Sequence, residues 1–207
     1  MKKTILTCLL LNSLISYAQD KSNKFKFGVE FGVVENLSSK TVPFNLSEGY
    51  NFSYNKFNFK WNVTLDFYIT EKISLGSGLS YSQNNYKAIS YTPYFIGIFE
   101  GEIKLNFIEI PVSMRYYFLN EKLKPFINIG IVSQLIFDDN DLRNSRLPLK
   151  GNKYGISGKL GVGLEYELNK IAIRLYADYV KGFSNIYSNL DYKIDYISLG
   201  IGVVKGF

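Results

Sequence analysis

The sequence contains no histidine and a single cysteine, Cys8, among 207 residues. The absence of histidine excludes His-ligated zinc sites and the Ser-His-Asp and Cys-His catalytic arrangements. Beyond the N-terminal segment, no stretch offers the roughly 18 consecutive apolar residues that a transmembrane helix needs. The basic residues are scattered and form no lysine-rich stripe, so nucleic-acid binding gains no support.

The N-terminus has the organisation of a secretory signal peptide. A basic start at Lys2 and Lys3 precedes a short apolar run, and a stretch with small residues ends at Ala18. We therefore expect cleavage to remove residues 1–18 and leave 19–207 as a single domain. Loss of the two lysines would lower the formal charge from +6 to +4. The exported domain would contain no cysteine, and hence no disulfide.

The longest regular pattern covers residues 57–69, where apolar side chains occupy every odd position and polar side chains every even one. A period of two indicates a β-strand with one apolar and one polar face, here longer than the average of about 5–6 residues. Similar alternation predicts eight strands in all: 24–34, 57–69, 73–83, 102–118, 125–137, 153–168, 171–181 and 193–207.

The connections between these strands alternate between long and short. The long ones include 35–56 and 84–101, whereas the short ones include the two-residue turn 169–170. Long outer loops opposite short turns are typical of membrane barrels. The sequence therefore predicts an all-β, eight-stranded antiparallel up-and-down transmembrane β-barrel in a bacterial outer membrane.

A lipocalin-like soluble barrel and a β-sandwich are the alternatives. Both would bury their apolar side chains and show polar ones to water. Here the polar face is rich in glycine and small residues, which suit the crowded interior of an eight-stranded barrel. The apolar face is bulky and aromatic, so the membrane barrel is favoured.

Aromatic side chains gather near the strand ends on the apolar face, as in the two interfacial girdles of membrane barrels. The outer girdle is predicted to contain Phe57, Tyr81, Phe137, Tyr154 and Tyr179. The inner girdle is predicted to contain Phe25, Phe67, Tyr116, Phe118, Tyr166 and Phe207.

The polar faces carry charges that would point into the lumen of such a barrel. These are Lys26, Glu30, Lys60, Asp66, Glu109, Arg115, Lys159, Glu165, Glu167, Arg174 and Asp178. An ion or proton path is one interpretation, and Glu165 with Glu167 could be imagined as a general acid/base pair. Because so narrow a lumen has room only for its own side chains, a structural network of paired charges is favoured. We expect no catalytic residues and no cofactor.

Two local patterns break the regularity. Adjacent apolar residues at Phe107 and Ile108 shift the phase of the alternation, which predicts a β-bulge there. Pro111, which cannot donate a ladder hydrogen bond, also favours an irregularity. The acidic run 138–141 faintly resembles a calcium loop, but it lacks the required glycine and distal glutamate, so no metal site is expected.

Basic residues follow this acidic run, at positions where an outer loop would meet the membrane surface. They are Arg143, Arg146, Lys150 and Lys153. Such cations could contact lipopolysaccharide phosphates at the outer leaflet. Outer-membrane lipid and lipopolysaccharide are therefore the expected partners.

Three motifs in the fourth and fifth predicted strands resemble the PorT-like outer-membrane β-barrel family: Glu109-Ile110-Pro111, Arg115-Tyr116-Tyr117 and Lys124-Pro125-Phe126. The strand around 158–166 is similar too, and with the leader and the terminal Phe207 the resemblance extends over essentially the whole mature chain. It implies an outer-membrane barrel. Because the family is functionally mixed, it only suggests a role in protein secretion or transport.

These observations favour a non-enzymatic accessory in secretion, envelope assembly or transport, with other envelope or secretion proteins as further partners. A binding or adhesion module that uses loops 35–56 and 84–101 is the second hypothesis. A narrow diffusion pore is the third.

Overall fold

The computed structural model describes residues 25–37, 40–43, 49–53, 58–91, 99–140, 150–169 and 171–207. The predicted signal peptide, Phe57, Arg143 and Arg146 lie outside these ranges. Within them, no helix is long and apolar enough to cross a bilayer.

The described chain consists of ten antiparallel strands. Their bounds are β1 Phe25–Asn36, β2 Lys40–Pro43, β3 Gly49–Ser53, β4 Asn58–Tyr68, β5 Ile73–Tyr91, β6 Phe99–Tyr117, β7 Leu123–Asn140, β8 Tyr154–Leu168, β9 Ile171–Gly182 and β10 Asp195–Gly206. Eight of them follow one another around a cylinder in the order β1, β4, β5, β6, β7, β8, β9, β10, and β10 pairs back with β1. The predicted eight-stranded up-and-down barrel is confirmed.

The strands are staggered around the barrel. The inward row that starts at Tyr117 passes Phe126, Gly163 and Tyr176 and returns to β6 at Phe107, ten residues nearer the outer loops. Such a shift requires the strands to tilt against the barrel axis, by about 35–45° in membrane barrels. The outer wall is therefore crossed by rows of side chains that climb diagonally.

The side chains alternate across the wall as a closed barrel requires. In β4, Trp61 and Leu65 point outward and are 45% and 49% exposed, whereas Lys60 and Asp66 point inward and are 3% and 1% exposed. The same alternation holds along β1 and β9. An apolar outside and a polar inside invert the arrangement of a soluble protein.

Several strands extend further outward than the alternation predicted. β5 and β6 continue through 84–91 and 99–101, which were expected to be loop. β7 likewise runs to Asn140, so the described part of the acidic run 138–141 is strand rather than loop. Beyond the barrel rim, β3 pairs with β5 at 87–91 and β2 pairs with β3, which extends the sheet on the outer side.

The predicted β-bulge at Phe107 is wrong. Ser77 pairs with Val112 and Ser80 with Glu109, so the register between β5 and β6 is the same on both sides of the suspected slip. The two pairings between these points are missing from the ladder, opposite Pro111, which has no N–H to donate. Proline therefore interrupts the hydrogen bonds without adding a residue.

The short turns at the other end are locally determined. Thr70 accepts hydrogen bonds at Oγ1 from the backbone N–H groups of Lys72 and Ile73, at 3.2 and 3.0 Å. Asn169, between β8 and β9, adopts a φ of 58°, a left-handed conformation that asparagine tolerates. These turns agree with the predicted short connections.

Candidate functional site

The centre of the lumen is organised around Arg174. Its guanidinium donates from Nη1 to Glu30 Oε1 at 2.8 Å and from Nη2 to Asp66 Oδ2 at 2.6 Å and Glu165 Oε2 at 2.7 Å. Arg115 approaches the same Asp66 oxygen from β6, at 2.8 Å. Arg174 is fully buried. Three strands therefore supply carboxylates to one planar cation, which can donate in several directions at once.

A second group of charges extends from this centre to the mouth at the short turns. Lys26 Nζ contacts Glu165 at 2.7 Å and Glu167 at 2.6 Å, and Lys124 Nζ contacts Glu167 at 2.9 Å. Glu167 is the most exposed of these groups, with 30% of its side chain accessible. The two carboxylates proposed as an alternative acid/base pair are thus both held by cations.

Aromatic rings narrow the same mouth. Tyr68 and Tyr117 stack with their centroids 5.7 Å apart and share a hydrogen bond of 2.8 Å between their hydroxyls. Lys26 lies over the Tyr68 ring, and Phe126 packs edge-on against Tyr117. The rings and the ion pairs together fill the lower lumen.

A third cluster surrounds Glu109, which is completely buried on β6. It forms a buried ion pair with Lys60 and accepts hydrogen bonds from Gln134 at 3.0 Å, Tyr196 at 2.7 Å and Ser80 at 3.3 Å. Four strands besides β6 supply these donors, so this carboxylate links much of the barrel wall.

Lys159 and Asp178 form the fourth cluster, with Nζ and Oδ2 at 2.8 Å, and Asn128 donates to the other carboxylate oxygen at 2.9 Å. All eleven charges that the sequence placed in the lumen therefore lie on the inward face and have partners of opposite sign. Lys124 was missed, although it alternates in phase with the inward Phe126. With it, the described residues of the lumen include six cations and six carboxylates that form these ion pairs.

Above the charges, the lumen contains an apolar cluster beside buried polar side chains such as Asn58 and Asn84. The last outer loop turns inward and buries Ile186, Tyr187, Leu190, Tyr192 and Ile194. These residues pack against inward side chains of the upper strands, which include Val34, Ile103, Leu105, Phe107, Ile136, Val180 and Tyr196. We call this cluster the apolar plug.

The plug explains the sequence irregularity on β6. Ile103, Leu105 and Phe107 point inward and are apolar because the loop covers them, whereas Ile110 is apolar because it lies on the outer face. Burial, with the charge of Asp195 as a second cause, raises the pKa of the Tyr192 phenol. The plug was not predicted from the sequence. The feature of the sequence that could have indicated it is the presence of apolar and aromatic residues among the polar residues of the last outer loop.

The loop is fixed by backbone contacts as well as by packing. Asn152 N donates to Ile186 O at 2.7 Å, and its side-chain amide donates to Asn185 O at 2.8 Å. Ile186 N in turn donates to Tyr192 O at 2.8 Å. These bonds attach the loop to the segment that enters β8.

The predicted girdle residues, except Phe57, are described and alternate outward. Their exposure ranges from partial at Phe67 and Tyr81 to 74% at Tyr154. Phe25 and Phe67 pack ring to ring at 5.1 Å near the short turns, and Tyr116 and Phe118 at 5.4 Å. Between the girdles the outer wall is mostly aliphatic, but it also carries rings such as Phe27, Phe31 and Trp61.

A closed barrel with an apolar outer wall and a charged, filled interior defines an outer-membrane β-barrel protein. The chain belongs to the outer membrane protein beta-barrel domain family, whose model matches residues 17–188. Both observations indicate the bacterial outer membrane as its location.

Solved structures show the same fold. The chain is similar to Neisserial surface protein A (NspA), with 12% identity, a TM-score of 0.56, and 91% of this chain and 100% of that chain covered. It is also similar to OprG from Pseudomonas aeruginosa, with 16% identity, a TM-score of 0.52, and coverage of 90% and 97%. No curated protein matches the chain.

Proposed function

We propose that this protein is a non-enzymatic accessory in protein secretion, envelope assembly or transport. The observation that supports this role best is the lumen, which is filled by paired charges below and by the apolar plug above. A filled lumen leaves the outer wall, the loops and the short turns as working surfaces, where other envelope proteins can bind. The PorT-like motifs, among them Glu109-Ile110-Pro111, favour secretion among the three roles.

Gene deletion followed by quantitative analysis of the secreted proteome tests this role. We expect a subset of exported proteins to be depleted from the medium and to be restored by the wild-type gene. An unchanged profile would contradict the secretion role. A barrel-assembly role would instead lower the amounts of other outer-membrane proteins in the same cells.

A binding or adhesion module is the second candidate. The β2–β3 hairpin and the extended ends of β5 and β6 support it, because they form a sheet that projects past the rim. Replacing residues 40–53 by a short Gly/Ser linker should abolish surface attachment if this candidate is right. Heat-modifiable gel migration of the variant serves as the control for an intact barrel.

A narrow diffusion pore has the least support, because paired charges and the plug occupy the lumen in the part of the barrel that the structure describes. We expect no conductance steps from the wild-type protein in planar bilayers. Reproducible steps would contradict the proposed accessory role, since they would require a path past Arg174 and the plug.

Lipopolysaccharide is the proposed lipid partner at the outer rim. Lys150 and Lys153 are exposed just before β8, and Arg143 and Arg146 precede them in the sequence. Cations near a membrane surface attract anionic groups by about 1 kcal/mol each. Replacing the two lysines by glutamine should therefore reduce co-purified lipopolysaccharide, whereas the same change at Lys72, in a short turn, should not.

A further inference from the structure

An apolar groove of about 540 Å³ crosses the lipid-facing wall from β6 to β10. Its floor is strand backbone at Gly163 and Gly200, where the side-chain alternation points inward. Two diagonal rows of outward side chains form its sides. The lower row includes Pro125, Leu164 and Leu175, and the upper row includes Val162, Ala177 and Leu199.

The groove rises through one leaflet of the membrane. Its floor follows the same inward row that begins at Tyr117, at the short-turn end of β6, and climbs by ten residues around the barrel. It therefore opens at the short-turn rim beside Phe118 and ends near mid-membrane beside Leu199. This path matches an acyl chain that enters from the leaflet at the short turns.

The depth of the groove depends on a small side chain in its upper row. Ala177 takes an outward position on β9 between Leu175 and Tyr179, which are both larger and exposed. Its cross-strand neighbours are Val162 and Leu199. A flexible hydrocarbon chain can fill such a depression. The flat wall of a second barrel would instead contact the two rows of side chains that flank the groove and leave its floor uncovered.

The lower end of the groove has charges that suit a phospholipid headgroup. Lys122 is exposed in the turn that follows Phe118, and its carbonyl oxygen accepts a hydrogen bond of 2.7 Å from Glu167 N. Glu121 is exposed next to it. A cation beside a carboxylate is complementary to a headgroup that contains a phosphate and an ammonium.

We propose that this groove and the turn beside it form a binding site for a zwitterionic glycerophospholipid. One acyl chain lies between the two rows over Ala177, the phosphate binds Lys122, and the ammonium binds Glu121. The site is independent of the lumen and of the proposed accessory role.

Native mass spectrometry of the full-length mature protein, released from detergent with added phosphatidylethanolamine, tests the site. We expect one retained lipid on the wild type. Lys122→Gln should weaken retention about fivefold, the effect of one cation at a membrane surface, and Lys122→Arg should restore it. Ala177→Trp should abolish retention by filling the groove. Diacylglycerol, which has no phosphate, should be retained no better by the wild type than by Lys122→Gln.

Two matched controls separate a built site from general lipid coating. Val29→Trp adds the same ring to the lipid-facing wall outside the groove, and Lys72→Gln removes a lysine from another short turn; both should retain lipid as the wild type does. Equal retention by all variants would overturn the proposal. A dimer mass that disappears in Ala177→Trp would also overturn it, because the groove would then hold a second copy.

Discussion

The lumen has two regions that are closed by different physical means. Near the short turns, Arg174 and its carboxylates fill the space with ion pairs, whereas near the outer loops Leu105 and Phe107 meet an inward-folded loop. Buried charges require every partner, because a buried charge without a partner is strongly disfavoured. Apolar packing requires only that the space be filled. Truncating one side chain therefore leaves a cavity, whose cost in free energy of unfolding is limited. The lower region should therefore be the more sensitive to single substitutions.

The largest effect is expected from Arg174→Met. The change leaves Glu30, Asp66 and Glu165 without their shared partner, and breaking a buried ion pair typically costs about 3–5 kcal/mol. The free energy of unfolding in lipid vesicles, measured by urea titration, checks this value. Arg174→Lys keeps the charge and should lose less. A loss of stability smaller than that caused by Leu105→Ala in the plug would refute this difference between the two regions.

Leu105→Ala should be the next most damaging change. Removing a buried leucine side chain from the plug costs about 2–4 kcal/mol, through lost burial and the remaining cavity. The same urea titration measures it. Leu105→Met, which conserves volume, should cost less than about 1.5 kcal/mol. If alanine and methionine were equivalent, the plug would not be tightly packed.

The plug should also loosen at alkaline pH. The pKa of Tyr192 is raised above its ordinary value of about 10, so the unfolded state releases this proton first as pH rises. The associated stability is complete below about pH 10 and is lost above it. Urea titrations between pH 8 and 12 should show this loss in the wild type and a smaller one in Tyr192→Phe. Tyr154→Phe, exposed on the outer wall, should behave as the wild type.

Lys124→Met changes the partly exposed end of the charged region, at the short turns, and should have the smallest effect on the free energy of unfolding. Its partner Glu167 is partly exposed and keeps Lys26, so we expect a loss of about 0–1 kcal/mol. Added salt should shrink the difference further. A loss comparable to that of Arg174→Met would show that the mouth is as dry as the centre.

The architecture could be predicted from the sequence because the two faces of a closed sheet produce a regular alternation of apolar and polar residues along each strand. In residues 57–69, the two faces follow from a period of two, and glycines on the polar face indicated a crowded interior. All eight strands were found, and the eleven inward charges were placed on the correct face. Local information was sufficient, since successive residues of a strand point to opposite faces and each residue's face follows from its odd or even position.

The apolar plug could not be predicted in the same way. The shift of apolar side chains at Phe107 looked like a bulge, because alternation distinguishes two faces but does not reveal that loop residues 79 or more positions away cover the inward one. Lys124 was not assigned to the lumen because the fifth strand was predicted to begin one residue later, at Pro125.

The sequence by itself determined the long alternating strands, the inverted outer wall of residues such as Trp61, and the short turns. These features depend on neighbours a few positions apart. Only the tertiary structure decided which charges meet, because Lys26 and Glu165 are 139 residues apart and become neighbours only when β10 closes on β1. Closure also brought the last loop over Leu105 and set the diagonal rows that form the groove. Partners across a barrel depend on the stagger of all eight strands, which no single segment specifies.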